Sequence, residues 1–278
     1  MATTQAKANP KESSGFQGVK NAFFIILVCF VLAVLFFKYI LGAPEHFVNG
    51  DPTQPVKDGN LMGTVYKGGV VVPVIITLLF SVIALSIERF FALRTAFGKS
   101  SLGKFVVSVK KAITAGDMAK AQELCDKQQG SVANVVGASI AAYKEMEATT
   151  NLKRAAKVSK IQQAHEEATQ LEMPTLQMNM PIIATIVTLG TLTALFGTVV
   201  GMIRSFAALA SGGGGDSLQL SEGISEALVN TASGILTSWV AVVSYNYYSN
   251  KIDKLTYALD EVGYTIAKTY EANHADEA

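Results

Sequence analysis

Apolar residues gather into four long runs separated by polar stretches. The first runs from Asn21 to Leu41 and is interrupted only by Lys38 near its end. The second runs from Gly69 to Ile87 and is closed by Glu88-Arg89. The third, Pro181 to Leu209, contains Arg204; the fourth, Leu220 to Ser249, contains Glu222 and Glu226. A bilayer core is about 30 Å thick and needs roughly 20 mostly apolar residues to be crossed by a helix. Each run meets that length, so the pattern predicts four transmembrane helices. It divides the chain into a tail (1–20), a first span (21–41), a loop (42–68), a second span (69–91), a polar domain (92–180), a third span (181–209), a hairpin (210–219), a fourth span (220–249) and a second tail (250–278). No small-residue cleavage site follows the first apolar core, so that run reads as a retained anchor.

The third and fourth runs are patterned inside. Gly190, Ala194, Gly197, Gly201, Ser205 and Ala208 fall on one helical stripe, with Leu192, Leu195, Phe196, Val199, Ile203 and Phe206 opposite. Small residues on a stripe let another backbone approach closely, and Gly197 with Gly201 forms a GxxxG. In the fourth run Glu226, Asn230, Ser233, Thr237 and Ser244 share a face, with Ala227, Thr231, Gly234, Ser238 and Ala241 beside it. Leu228, Ile235, Leu236, Trp239 and Val243 fill the rest. Close packing is therefore expected at Gly190, Gly197, Gly201 and Gly234.

The polar stretch between the second and third runs is helical by its punctuation. Gly116-Asp117 ends one helix and caps the next, Gly130-Ser131 is expected to do the same for Val132 to Met146, and Thr150 or Asn151 for a last helix toward Pro174. Nothing in it reads as a strand. The fold class is thus all-α: a polytopic membrane protein with a helical cytoplasmic domain.

Charge supplies the orientation. Only 16% of residues are charged, where soluble domains carry about 25%. Twelve of the 23 Lys and Arg lie between Arg94 and Lys160, which places that block in the cytoplasm by the positive-inside tendency. The hairpin Ser211 to Asp216 has no basic residue, and an even number of spans puts both termini inside. A net charge of +1 gives no field for nucleic acid. Cys29 and Cys125 form no disulfide or metal pattern, and His46, His165 and His274 all lie outside the spans. Thr231-Ala-Ser-Gly234 has the look of an intramembrane serine nucleophile, but no histidine lies in a span to act as its base. The run Gly212 to Gly215 lacks the Gly-Lys-Ser/Thr of a phosphate loop. No enzyme activity, metal or cofactor is expected.

Depth singles out four residues. Thr198 and Thr231 each lie eleven residues from the hairpin ends, roughly 16 Å down at about 1.5 Å per residue. Arg204 and Glu226 lie five and six residues in, roughly 8–9 Å down. Each pair is level across the hairpin. Threonines in spans commonly back-bond to their own helix, and Arg204 with Glu226 can be a structural ion pair as readily as a proton relay.

Leu195-Phe-Gly-Thr-Val-Val-Gly-Met-Ile203, Gly223-Ile-Ser-Glu-Ala-Leu-Val-Asn-Thr231 and Ser244-Tyr-Asn246 resemble the MotA/TolQ/ExbB proton-channel family, closest to its ExbB members. Gly116-Asp117, Leu124-Cys125, Gly130-Ser-Val-Ala133 and Glu172-Met-Pro174 agree with it. The resemblance implies a homo-oligomer, a pentamer, in the bacterial inner membrane, whose last two spans line a pore around a dimer of a single-span, ExbD-like partner. Proton-motive force then passes through a TonB-like transducer to outer-membrane transport. It implies that Thr198 and Thr231 line the lumen and that Glu226 is the membrane glutamate of the last span. The partner supplies the proton-carrying aspartate, since no Asp lies in these spans. TolQ-like envelope maintenance, a MotA-like stator and a passive scaffold are the alternatives. The first span is an addition to the family's three-span pattern and is expected on the lipid-facing periphery.

Overall fold

The structure is a computed structural model and describes residues 21–211 and 217–274. The N-terminal tail and the glycine run Gly212 to Gly215 fall outside the described residues. Among the described residues nine α-helices follow in chain order: α1 (Ala22–Leu35), α2 (Leu61–Tyr66), α3 (Val72–Phe97), α4 (Leu102–Thr114), α5 (Met118–Gln128), α6 (Gly130–Ala148), α7 (Arg154–Gln177), α8 (Met180–Ser211) and α9 (Ser217–Asn273). Extended pairing among the described residues is limited to one antiparallel bridge between Phe47 and Val56. Four helical segments are long and apolar enough to cross a membrane: Ala22–Leu41 and stretches within Gly69–Thr114, Arg154–Ala210 and Gln219–Asn273. The chain is an all-α polytopic membrane protein.

Its described residues divide into two compact units, 21–88 with 179–247 and 89–178 with 248–274. The first holds the apolar spans. α1 continues as a wider π-helical turn, Phe36–Leu41, closed by Gly42 N–H donating to the Phe37 carbonyl at 2.9 Å. Its buried line is narrow, Cys29 and Ala33 one turn apart, while Phe23, Phe24, Leu27, Phe30 and Val31 stay exposed. Ala33, Leu41, Val72 and Ile76 form a core cluster with Phe36, Phe37, Tyr66 and Val229 against it. In lipid no apolar transfer drives this contact, so α1 is held by packing alone. The wide exposed face of α1 is the surface a lipid neighbour requires.

The connection after α1 is built, not slack. His46 donates from Nε2 to the Ile40 carbonyl at 3.0 Å, which leaves Nδ1 to accept from Asn60 Nδ2 at 2.8 Å. Asn60 in turn caps α2, its Oδ1 accepting from Gly63 N–H at 3.0 Å. Phe47 is fully buried against the Tyr66 ring, and Phe37 stacks on that ring at 4.6 Å.

The second unit is a helical bundle whose elements each bury an apolar stripe. α4 buries Phe105, Val106, Val109, Ala112 and Ile113, a helical spacing that its lysines flank on the solvent side. Asp117 accepts from Lys120 N–H at 2.9 Å to cap α5, with Gly116 in the left-handed conformation before it. The break before α6 differs from expectation. Gln129 takes the left-handed position (φ 57°), α6 already begins at Gly130, and Ser131 is buried inside the helix instead of capping it. Gly130 is required because a Cβ there would sit 2.6 Å from the Thr95 carbonyl oxygen and 2.7 Å from that of Ala96. α7 likewise starts after Lys153, with no side-chain cap, so neither Thr150 nor Asn151 caps it; both precede the first helical residue, Arg154, by too far. α7 also runs past Pro174 to Gln177. The fully buried Arg89 donates to the last-turn carbonyls of Thr175 and Leu176 at 3.3 and 3.5 Å, groups that the helix itself leaves unpaired.

Residues 250–278, expected as a tail, instead carry the continuation of α9 to Asn273. Leu255, Leu259, Val262, Ile266 and Tyr270 are fully buried, and Tyr270 donates to the Met146 carbonyl at 3.0 Å. Charged residues between these positions, such as Asp260, Glu261 and Lys268, hide the stripe from a reading of overall polarity.

Candidate functional site

Glycines set how closely α8 and α9 approach. A Cβ on Gly190 would stand 2.5 Å from Ser238 Oγ, and one on Gly197 2.7 Å from Asn230 Cβ. On Gly201 it would stand 2.8 Å from the Gly223 carbonyl oxygen, and on Gly234 2.7 Å from that of Gly190 while overlapping Ala194. At Gly201 and Gly234 backbone meets backbone, so no side chain can yield there. The small stripe of α8 is therefore spent on α9 of the same chain, while Leu192, Leu195, Phe196, Val199, Ile203 and Phe206 remain exposed behind it.

That approach brings the two threonines together. Thr198 Oγ1 and Thr231 Oγ1 lie 2.6 Å apart, both half-buried. Each also back-bonds one turn up its own helix, Thr198 to the Ala194 carbonyl and Thr231 to that of Ala227, both at 3.0 Å. The ordinary back-bonding of threonine in a span is thus present beside a contact between the two helices. Thr198 Oγ1 also reaches the Ala227 carbonyl at 3.5 Å, so two hydroxyl protons serve four contacts, and whichever threonine donates to its neighbour gives up its own back-bond. Either hydroxyl can be the donor in the contact between them.

Nearer the hairpin, Arg204 Nη1 donates to both Glu226 carboxylate oxygens at 2.7 Å. Side-chain exposure is unequal, 52% for Arg204 and 8% for Glu226, so the guanidinium stands between a buried carboxylate and the surface. The span pattern does not reveal the third participant. Gly69, left-handed at φ 76°, lays its backbone on the carboxylate, and a Cβ there would overlap Glu226 Oε1. A glycine opening an apolar run was the available signal.

Two other polar positions were only partly legible. Asn230, one turn below Glu226 on the same face, is fully buried, and neither amide atom has a hydrogen-bond partner in the chain. Glu88, which marks the end of the second span, accepts from Asn179 Nδ2 at 3.1 Å, and Asn179 is the left-handed residue between α7 and α8. No group of three or more metal-ligating side chains occurs among the described residues. Both cysteines are free and buried, and burial pushes the Cys125 thiol up to about 12, so it stays protonated at neutral pH.

Comparison with known sequences gives this arrangement relatives. Residues 135–261 match the sequence model of the MotA/TolQ/ExbB proton channel family. The chain is 34% identical over 87 residues to a biopolymer transport protein, ExbB-like 3, of Synechocystis, covering 31% of this chain and 41% of that one. It is 32% identical over 114 residues to the Tol-Pal system protein TolQ of Pseudomonas aeruginosa, covering 40% and 47%. Against TolQ of Haemophilus influenzae it is 36% identical over 85 residues, covering 30% and 37%. The matches span less than half the length of each of these relatives.

Proposed function

The chain belongs to the MotA/TolQ/ExbB proton channel family through residues 135–261, and from that premise we propose that it is an ExbB-like subunit of a proton-driven motor in the bacterial inner membrane. In this reading copies of the chain form a pentamer with α8 and α9 facing a common lumen. A dimer of a single-span, ExbD-like protein occupies that lumen, and a TonB-like protein carries the force to outer-membrane transporters. Both termini and the 89–178 bundle are cytoplasmic.

The carrying observation is the Thr198–Thr231 contact at 2.6 Å. Two half-buried hydroxyls held at one level of the hairpin can pass hydrogen bonds to water and to a carboxylate approaching from a partner without a charged intermediate. Glu226 holds negative charge nearer the hairpin, balanced by Arg204. The spans carry no aspartate, so in this reading a partner brings the carboxylate that meets the threonines. A passive scaffold would use the glycine seam equally well but has no use for paired hydroxyls.

Purification under mild conditions tests the assembly: a small single-span protein with an aspartate in its span should come with the chain in a fixed ratio. Recovery as a lone homo-oligomer would count against the motor. A second reading, TolQ-like envelope maintenance, is favoured by the similarity to two proteins named TolQ. Deletion of the chain's gene separates the two. Loss of energised uptake through outer-membrane receptors supports the ExbB-like role, and detergent sensitivity with normal uptake supports the TolQ-like one.

A further inference from the structure

Beside the ion pair lies a cavity of about 720 Å³ that the threonine passage does not use. Its lining includes Thr64, Lys67, Arg204, Glu222, Ser225 and Glu226, so residues after the first span form one wall and the hairpin ends of α8 and α9 the other. We propose that this cavity is a water-filled mouth through which hydronium reaches Glu226 from the hairpin side, and that Lys67 and Glu222 latch it. The identity of the ion rests on the motor reading above; the access of water does not.

Charge decides the class of occupant. Two cations and two carboxylates line the cavity, so it offers no net field to hold a fixed anion or metal ion, and suits water and an ion in transit. Arg204 is half exposed and Glu226 is buried beneath it, while the Gly69 backbone closes the opposite side of the carboxylate. Approach from water is therefore past the guanidinium. Glu222 lies one turn from Glu226 on α9, and Lys67 Nζ stands 3.6 Å from Glu222 Oε1 while donating to the Thr53 carbonyl at 3.1 Å. Hydronium delivers its proton to a Glu226 oxygen and leaves as water. Arg204, having lost its counter-charge, then turns to Glu222, the other carboxylate of the lining, and Lys67 keeps the Thr53 carbonyl. The proton's departure toward the lumen restores the starting pairs. The wall can hold this geometry because Asn60, His46 and the Phe37, Phe47 and Tyr66 rings fix the connection in place.

Ser225 is the probe, being half-buried in the lining beside Glu226. The assembled complex carrying Ser225→Cys is placed in liposomes and treated from either side with a membrane-impermeant quaternary-ammonium thiol reagent. The unsubstituted chain, whose two cysteines are buried, sets the background. Labelling from the hairpin side should be about tenfold faster than from the other, since a permanent cation does not cross the apolar interior. Labelling should also reduce proton flux in the same sample, and Lys67→Gln should speed it. Absence of hairpin-side labelling while exposed Ser221→Cys is labelled overturns the mouth. Labelling that leaves flux unchanged overturns its use by protons. Labelling in a complex that never conducts upholds the access of water and overturns the motor reading instead.

Discussion

Arg204 on α8 gives one nitrogen, Nη1, to both carboxylate oxygens of Glu226 on α9, at 2.7 Å each. One end of this pair is half exposed and the other buried, so the two residues are not equivalent as targets. Removing Arg204 strands a buried carboxylate, whereas removing both residues strands nothing. Arg204→Ala should therefore lower the melting temperature of the extracted complex more than the Arg204→Ala, Glu226→Ala double variant does. A double variant costing as much as the sum of the singles would show that the pair contributes no coupling.

The threonine pair separates stability from transport. Thr231→Val loses one back-bond and the contact to Thr198 but keeps its shape, so the complex should stay assembled, with a change of about 1 kcal/mol or less. Proton flux in liposomes should fall by at least about a hundredfold, the typical scale of a positioned proton-transfer group. Thr231→Ser, which retains the hydroxyl, should recover most of it. Flux at the wild-type level in the valine variant would remove Thr231 from the pathway.

Glycines along the α8–α9 seam should be far less tolerant than glycines elsewhere. Gly234→Ala places a Cβ into Ala194 and against the Gly190 carbonyl, so the helices must separate, at a cost of about 1–3 kcal/mol. A Cβ on Gly103 of α4 would meet nothing within 4 Å, and Gly103→Ala should stabilise the helix by about 0.5–1 kcal/mol. Thermal melts of the two variants in the same detergent should move in opposite directions.

His165 gives the helical bundle a pH dependence. Its Nδ1 lies 2.9 Å from Ser139 Oγ, and because that hydroxyl donates to the Val135 carbonyl, the ring must be the donor. Nε2 is buried against Gly263 and has no partner. Burial lowers the imidazole below its ordinary value, with Asp260 and Glu166 opposing in part. A second proton then binds more tightly to the unfolded chain, so the stabilisation is fully present above the unfolded value of about 6.5 and is lost as pH falls through the window beneath it. Melting temperature should drop between about pH 7 and pH 5, and His165→Leu should flatten that slope. An unchanged slope in the variant would assign the dependence to other groups.

Much of the fold was legible because its signals are local. A span is recognised by length and apolarity alone, and the bulky faces of α8 and α9 follow from a 3.6-residue period, which is why Phe196, Ile203, Leu228 and Trp239 emerged exposed. The Asp117 cap needs only its own turn of helix. Ser131 does not cap because a capping residue is defined by where the backbone breaks, and the break before α6 is set by the close approach of Gly130 to the end of α3; Thr150 and Asn151 do not cap because α7 begins only at Arg154. The end of α9 was misjudged because its stripe is diluted by charges.

The sequence by itself determined the number of spans, the small and bulky faces of the last two, and the register that sets Thr198 level with Thr231 and Arg204 level with Glu226, since each depends on spacing along one helix. Only the tertiary structure decided what faces those residues. Packing brought the Gly69 backbone onto Glu226, left the Asn230 amide without a partner, and set Lys67 beside Glu222 at the rim of the cavity. These are contacts between segments far apart in the chain, and their distances come from side-chain volume and backbone approach, quantities that no periodicity encodes.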